Sequence, residues 1–426
     1  MTELVGRTPA VLPVGVTTGG RTPASIESRA SWVAACLTLA LLSVSYGSPL
    51  LAVVGLKLIT EEIGTARQVV SLAVALTWLG TGAGGTVMGQ VAERIGMRAT
   101  VMIGAVSIAF GLALSATGSI WAILIGHTLF VGLFGNGALF PPLLVYVSRW
   151  FDRRRGTALA LISSGQYIAG MAWPTVFEQA MAGYGWRATM VGFAVVLLLT
   201  VPVIALFLQQ PPAAPGGFEG GDPGGRRRVL GMRPNTVLAL IAFAGFACCI
   251  PMSIPQGHLV AFCSDVGIPM AQGAAMLSVL QASAFLSRIL WGWMADRVGG
   301  LLTVLVGSSC QAVAITAFMA TQDETALFAI AAAYGLGFSG IVPAYVMAVR
   351  DLFPSREASW RVPVVLFVSM GGMAAGTWWA GALFDHFGYY GPAFASGVLF
   401  NLVNLAVVGF LVLRQRREGV FRPAFA

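Results

Sequence analysis

An arginine stands inside an apolar stretch of the sequence, at Arg288 in the segment 271–293. A charged side chain within a membrane helix costs at least about 2.5–3.5 kcal/mol, so it usually faces a cavity or a partner. Helical spacing puts Gln281 on the same face two turns earlier, continued by Ser278, and the surroundings offer no carboxylate. A guanidinium in a low-dielectric cavity can bind a carboxylate bidentately. We therefore predict an organic-anion site at Arg288; the alternative is an arginine that snorkels to the interface near Asp296 or pairs across helices.

Other polar side chains within apolar segments are candidates for the same cavity. Asn136, which lies between two glycines, could donate an amide hydrogen to a carboxylate or could mark a close helix contact. Further candidates for ligand contact, each of which could instead satisfy an interhelical hydrogen bond, are Tyr46, Gln166, Tyr167, Tyr334 and Ser369. Two histidines titrate near neutral pH and are candidates for proton coupling, with packing as the alternative role: His127 and His258.

The composition indicates what surrounds these residues. Of 426 residues, 57% are hydrophobic and 10% charged, where a soluble domain has about 45–50% and about 25%. The mean hydropathy of +0.81 means that lipid must solvate much of the apolar surface. The net charge of +8 comes from arginines in short loops, so we expect no nucleic-acid partner. The five cysteines lack metal-ligand spacing, and no nucleophile–base set occurs, so we expect no metal, no cofactor and no enzyme activity.

Twelve apolar stretches are long enough, at about 20 residues each, to cross a bilayer. They are continuously apolar rather than alternating, which favours helices over barrel strands. The sequence therefore predicts an all-α membrane protein with twelve transmembrane helices in two pseudo-symmetric six-helix halves. The segments are 32–56, 67–90, 99–117, 120–147, 157–181, 188–208, 235–257, 271–293, 301–320, 324–348, 362–384 and 391–413.

A Pro- and Gly-rich connector divides the chain between the sixth and seventh segments. Most basic residues fall in the tails and loops of one side, against Lys57, Arg67 and Arg187 on the other, and the positive-inside rule makes the first side cytoplasmic. We expect a multi-pass protein of the cytoplasmic (inner) membrane with both termini in the cytoplasm. The expected domains are a disordered cytoplasmic N-terminus (1–31), two bundles (32–208 and 235–413), a cytoplasmic linker (209–234) and a cytoplasmic tail (414–426).

An internal repeat relates the two halves. A shift of 203 residues lays GQVAERIG, which starts at Gly89, on GWMADRVG, which starts at Gly292. The same shift places Gly85 at the position of Arg288, so the charge belongs to one half alone. Parallel repeats of this kind enclose a site near the membrane midplane and rock to give access from alternate sides.

The repeated loop resembles the signature loop of the major facilitator superfamily, with Glu93 where Asp is usual in the first copy. An acidic–basic pair at a helix end could latch the halves in one state and release them when they rock. A loop that only sets topology is the alternative. The residues for which we expect a gating role are Gly89, Glu93, Arg94 and Gly96 in the first copy and Asp296 and Arg297 in the second.

The stretch 132–174 narrows the resemblance. It resembles the monocarboxylate transporters and the bacterial oxalate–formate antiporters, whose fifth helix follows an aromatic–basic run, here WFDRRR at 150–155, and carries spaced glycines and a proline. The resemblance implies an arginine on the eighth helix, where Arg288 stands. Oxalate carriers add a lysine on the eleventh helix, but segment 362–384 has no Lys or Arg. One buried cation neutralises one carboxylate, which favours a monocarboxylate.

The resemblance implies a secondary active transporter of small organic monocarboxylates that works by alternating access, with proton symport. Animal monocarboxylate carriers have an Asp at the position that Ala284 occupies in this chain and a Lys at the position of Leu50. Because both are absent here, the resemblance does not identify the carried acid or the residue that couples transport to protons. The alternatives are an oxalate–formate type antiporter, an efflux carrier for drugs or amphiphiles, and a sensor that binds an acid without moving it. The expected partners are a small organic anion, a proton and the lipid bilayer, and we expect a monomer.

Overall fold

Long apolar helices make up the computed structural model of this protein, which describes residues 25–211 and 228–418. Within them, eleven helical stretches are long and apolar enough to cross a membrane, and one of these, Gly156–Leu206, holds two spans. The predicted all-α membrane fold is thereby confirmed. The long helices are α1 (Arg29–Val54), α2 (Arg67–Ile95), α3 (Met97–Ser115), α4 (Ile120–Ser148), α5 (156–184), α6 (186–206), α7 (Pro234–Asp265), α8 (Met270–Val298), α9 (Gly300–Ala320), α10 (Glu324–Leu352), α11 (Ser355–Phe387) and α12 (Gly391–Arg417), and a short helix, Leu56–Ile63, follows α1.

The stretch Gly156–Leu206 turns back on itself at Gly185. A straight helix of its 51 residues would be about 77 Å long, more than twice the bilayer core of about 30 Å. The backbone of Gly185 has φ 79° and ψ 162°, a conformation that residues with a Cβ atom rarely adopt. Trp173 and Phe177 before the turn pack on Phe193 after it, with ring centroids 4.8 and 4.9 Å apart. Gly185 therefore separates α5 from α6 as an antiparallel pair.

Helix ends differ from the predicted ends by a few residues. α1 begins at Arg29 rather than 32, and α12 continues to Arg417 rather than ending at 413. Three arginines occupy the last turn of α12, where cations suit the negative end of the helix dipole. Much of the expected N-terminal segment (1–24), linker (212–227) and tail (419–426) lies outside the described residues.

α4 departs from the regular helix that the sequence predicts over 120–147. Its middle part, Gly126–Asn136, has π-helical turns, and the proline pair Pro141 and Pro142 follows one turn later. Prolines lack the N–H that a regular helix needs, and π-turns in α-helices are frequent at functional sites. Asn136 lies at the end of this irregular segment.

The repeat of 203 residues is visible in the backbone. Gly96 and Gly299 end the second helix of their halves with matching positive φ angles of 87° and 81°. A Cβ added to Gly132 in α4 would lie 2.9 Å from the carbonyl oxygen of Thr77 in α2. A Cβ added to its repeat-related Gly335 in α10 would lie 2.1 Å from the carbonyl oxygen of Leu280 in α8. Both halves therefore depend on the same close helix approach, which only glycine permits.

The principal packing between the halves joins α2 to α11 and α5 to α8. A site between the halves is therefore bounded on two sides by helix pairs. We call the end of the bundle that carries the start of α1 and the end of α12 the terminal end. The opposite end, where α1 ends and α2 begins, is the distal end.

We expect Gly335→Val to destabilise the C-terminal half, because its Cβ would overlap the backbone of α8. Overpacking of this kind costs about 1–3 kcal/mol. The measurement is the thermal unfolding midpoint in detergent, followed by tryptophan fluorescence. Gly292→Val is the matched control, since no atom lies within 4 Å of a Cβ added there. Equal midpoints for the two variants would contradict the close-packing role of Gly335.

Candidate functional site

A cavity of about 50 Å³ lies between the halves, walled by α1, α2 and α5 on one side and by α7, α8 and α11 on the other. None of the described side chains that line it carries a formal charge. The apolar part of the lining includes Trp78 and Met373. The polar groups at the cavity are Tyr46, Gln166, Tyr167, Ser253, Gln256, Gln281 and Thr377. The cavity can therefore receive a solute that has both an apolar part and hydrogen-bonding groups.

A break in α1 places the Tyr46 side chain at this cavity. The helix is interrupted at Tyr46, and a second helical segment begins at Gly47. Pro49 has no N–H for the carbonyl of Ser45, and the Ser48 hydroxyl donates to that carbonyl instead, at 2.6 Å. The polar groups freed by the break are thus satisfied locally, as they must be at membrane depth.

Arg288 lies beside the cavity rather than in its lining. Its guanidinium donates a hydrogen bond of 2.8 Å to the Ser163 hydroxyl, and its central carbon lies 5.1 Å from the centre of the Tyr167 ring. Both partners belong to α5, so Arg288 bridges the two halves. No carboxylate of the described residues pairs with it. The arginine therefore has only neutral partners, and the Tyr167 ring stands at the boundary between it and the cavity.

Four of the eight residues predicted for ligand contact line the cavity, and three others are buried within one half. Tyr334 donates its hydroxyl proton to the carbonyls of Pro251 and Met252, at 3.4 and 3.1 Å, near the position where Pro255 removes a helix hydrogen bond. Ser369 packs against Gly245 between α7 and α11. Asn136 donates a long hydrogen bond of 3.5 Å to Ser48. Sequence spacing predicts which face of a helix a residue lies on. It does not predict whether a neighbouring helix covers that residue.

Charged groups from both halves meet at the distal end. Arg67 binds the Asp265 carboxylate bidentately, and Lys57 lies 3.2 Å from the same carboxylate. Asp385 accepts hydrogen bonds of 2.9 and 2.8 Å from the backbone N–H groups of Arg67 and Gln68, the first residues of α2. A carboxylate at a helix N-terminus is stabilised by the helix dipole. We call Lys57, Arg67, Asp265 and Asp385 the distal lock, since Asp265 holds two cations of the other half and Asp385 holds the first backbone N–H groups of α2.

A hydrogen-bonded chain leads from the distal lock toward the cavity. Arg67 donates to the Tyr390 hydroxyl oxygen at 3.1 Å, and that hydroxyl lies 3.0 Å from Nδ1 of His258. His258 Nε2 lies 2.8 Å from the carbonyl oxygen of Thr377, a residue that lines the cavity. Since a carbonyl only accepts, Nε2 carries the proton and Nδ1 accepts from Tyr390. His258 thus lies between the lock and the cavity wall.

The other predicted proton-coupling residue, His127, lies away from the cavity. Its Nδ1 contacts the Ser115 hydroxyl and the Ile123 carbonyl, at 3.0 and 3.2 Å, within the N-terminal half.

At the terminal end, Glu93 of the first signature loop forms an ion pair within its own half. Glu93 pairs with Arg149 of its own half at 3.3 Å, and both side chains are about half exposed or more. The Arg297 guanidinium lies over the Trp293 ring of its own helix, 3.4 Å from its centre. Ion pairs that join the halves occur in the distal lock, where Asp265 binds Lys57 and Arg67.

The sequence reasoning missed the distal lock and part of the cavity lining. Lys57 and Arg67 entered it only as exceptions to the positive-inside count, although two acidic residues, Asp265 and Asp385, close helices of the other half on the same side. Opposite charges at helix ends on one side were the available signal. Gln256 and Thr377 lie in apolar helices among many polar residues of the same kind, and no spacing distinguishes them.

Comparison with known proteins identifies the family to which the sequence belongs. A sequence model of the Major Facilitator Superfamily matches residues 32–359. The chain is similar to Monocarboxylate transporter 13 of Rattus norvegicus, at 26% identity over 359 residues, which cover 82% of this chain and 80% of that protein. It is similar also to the MFS-type transporter pynF of Aspergillus niger, at 25% identity over 319 residues, which cover 72% and 71%.

Two solved structures share the fold. One is a peptide transporter in complex with alafosfalin, with a TM-score of 0.70, 14% identity, and coverage of 89% of this chain and 94% of that chain. The other is a bacterial homologue of the human lysosomal transporter Spinster in an inward-facing, occupied conformation, with a TM-score of 0.66, 16% identity, and coverage of 92% and 98%. The family match spans most of the chain, and the protein therefore belongs to the Major Facilitator Superfamily and is a multi-pass membrane transporter rather than an enzyme.

Proposed function

We propose that this transporter carries small organic monocarboxylates across the cytoplasmic membrane, with its terminal end in the cytoplasm. The observation that carries the proposal is Arg288, a partly buried cation at the boundary between the halves whose described partners, Ser163 and Tyr167, are neutral. A guanidinium without an anion in a low-dielectric site is suited to bind a carboxylate. The similarity to Monocarboxylate transporter 13 supports the same substrate class.

The size and charge of the site favour a short monoanion. A water molecule needs about 10–15 Å³ of such space, so a cavity of about 50 Å³ holds a solute of only a few heavy atoms. Arg288 contacts the ring of Tyr167, which lines the cavity, and supplies one positive charge, so a dianion would leave one charge unpaired. An acid of two to four carbons with one carboxylate therefore fits best.

Alternating access follows from the distal lock in this proposal. The lock closes the distal end, so a substrate from that side enters only after Arg67 and Lys57 separate from Asp265. The signature-loop residues Glu93 and Asp296 would act in the opposite state, when the terminal end closes. The protein would do this as a monomer, because both halves of the pathway belong to one chain.

Proton coupling is assigned to His258 in preference to His127. A proton on Nδ1 of His258 would turn an acceptor into a donor, so that both His258 and Arg67 would donate to Tyr390. It would also place a second positive charge beside Arg67 and oppose closure of the lock. A bound carboxylate restores the charge balance, so the proton and the anion cross together.

Arg288→Gln should lower uptake of the carried acid by about 10- to 100-fold, because a charge-assisted hydrogen bond is worth about 1.5–3 kcal/mol. The measurement is uptake of labelled lactate, pyruvate, an aromatic monocarboxylate and oxalate by proteoliposomes, with and without an inward proton gradient. Arg153→Gln, at an exposed arginine, is the matched control. If Arg288→Gln transports as well as wild type, the carboxylate assignment fails.

Asp265→Asn should open the distal end, because it removes the shared acceptor of Lys57 and Arg67. A Val53→Cys probe in the cavity wall, with the exposed thiols removed by Cys36→Ser and Cys310→Ser, reports access of an impermeant maleimide. We expect labelling to be about tenfold faster. Glu62→Gln is the control, since Glu62 pairs with Arg187 in its own half at 2.9 Å. Unchanged labelling with Asp265→Asn would show that the lock does not hold this end closed.

His258→Gln should preserve transport but remove its dependence on the proton gradient. Glutamine supplies one donor and one acceptor, as neutral histidine does, but takes up no proton near neutral pH. The readout is the ratio of uptake with and without the gradient. His127→Gln should keep that ratio at the wild-type value; a loss in both variants, or in neither, would argue against His258 as the coupling residue.

A further inference from the structure

One hydrogen bond crosses between the halves on the terminal side of the cavity. Arg288 of α8 donates from Nη2 to Oγ of Ser163 in α5, at 2.8 Å, and the Ser163 hydroxyl donates in turn to the Ala160 carbonyl at 3.1 Å. Gln281 of α8, which lines the cavity, packs on Gly170 of α5. Arg288 and Ser163 each lie seven residues from that contact, which is about 10 Å further toward the terminal end. We call the bond between them the terminal bridge.

The internal repeat puts apolar residues at the positions of the terminal bridge. The shift of 203 residues relates the pairing of α5 with α8 to that of α11 with α2. The residues at the positions of Ser163, Tyr167 and Arg288 are Leu366, Met370 and Gly85. That contact is nonetheless close, since a Cβ added to Gly82 of α2 would lie 2.9 Å from Sδ of Met370. Close packing of the two halves therefore does not require a polar bond at this position.

We infer that the terminal bridge holds α5 against α8 in the empty transporter and that the carboxylate of the carried acid releases it. The inference rests on the proposed transport of monocarboxylates and adds how the same site controls opening toward the terminal end. Ser163 is a positioning residue in this scheme, because it acts on the acid through Arg288.

The place of the guanidinium makes its two partners alternatives. Arg288 does not line the cavity, and the ring of Tyr167, 5.1 Å from its central carbon, stands at the boundary. A carboxylate in the cavity pairs with Arg288 when the guanidinium turns toward it, and this movement takes the guanidinium away from Ser163. The carboxylate accepts with two charged oxygens where Ser163 offers one neutral oxygen, so the exchange favours the acid. By its higher affinity for the released state, the acid shifts the transporter toward that state.

The first test is the KM of proteoliposome uptake for the best carried of lactate, pyruvate and an aromatic monocarboxylate. Removal of the bridge frees the guanidinium, and a competing state lowers apparent affinity according to the fraction of molecules that it occupies. We expect the KM to fall about tenfold in Ser163→Ala, which also shows that the variant folds. Ser163→Thr retains the hydroxyl and should keep the wild-type KM. A serine that only supports packing, or that helps to hold the acid, would give an equal or higher KM in Ser163→Ala.

The second test measures the separation of α5 from α8 and does not depend on transport. Ala284 is fully buried on the face of α8 that carries Gln281 and Arg288, so Ala284→Cys should react with N-ethylmaleimide when α8 separates from α5. The labelling is done in the background that lacks the two exposed thiols. We expect the carried acid to speed the labelling about tenfold, and Ser163→Ala to give the same fast rate without acid.

Ser164→Ala is the matched control on the same turn of α5. The Ser164 hydroxyl donates to the Ala160 carbonyl within its own helix, at 2.8 Å. Its loss should change neither the KM nor the labelling rate, which separates the effect of the bridge from that of any serine removed from this turn.

The outcomes separate this inference from the proposed function. If Ser163→Ala carries the acid without a lower KM, or keeps the slow labelling of the wild type, the bridge does not hold the halves together and only this inference is overturned. If the wild type carries none of the acids, the proposed function fails, and release of the bridge by an acid fails with it, whatever the labelling rate of Ser163→Ala.

Discussion

The ion pairs of Asp265 are the interaction on which this conformation depends. They join Arg67 and Lys57 of one half to α7 of the other, and Asp385 adds a second bond across the halves at the start of α2. The Arg67 side chain is 10% exposed and that of Asp265 is 20% exposed. Charges so poorly solvated are costly to separate. The two halves are therefore fixed relative to each other at the distal end. This fixed arrangement determines the shape of the cavity between them.

Arg67, which is buried, and Arg288, which is partly buried, are in opposite situations at the interface between the halves. Arg67 is matched by Asp265 and lies against the Phe384 ring, 3.7 Å from its centre. Arg288 has a hydroxyl and an aromatic ring, which together offer far less than a carboxylate. An arginine that is fully paired keeps a structure closed, while one that lacks an anion keeps a position open for it. In the proposed function, one residue type would thus serve closure at one level of the bundle and recognition at another.

Much of the fold was predictable from the sequence, because hydrophobic length and the 203-residue repeat are local or periodic signals. The shared face of Gln281 and Arg288 was predictable for the same reason, from a helical period of 3.6. What lies opposite Arg288 was not, since Ser163 and Tyr167 belong to the other half and meet it only once the halves pack. Tyr334 shows the reverse difficulty: an aromatic hydroxyl in an apolar helix looks like a ligand group, but its partners are the carbonyls of Pro251 and Met252 in α7.

The chain from Arg67 through Tyr390 and His258 to Thr377 connects the cavity wall to the residues that close the distal end. Such a connection has to act in both directions. If release of Arg67 alters the wall at Thr377, then a solute that presses on that wall alters the hold on Arg67 by the same free energy, since coupling between two sites is reciprocal. The molecule would then sense its cargo through the wall of the cavity as well as through any charge that the cargo brings.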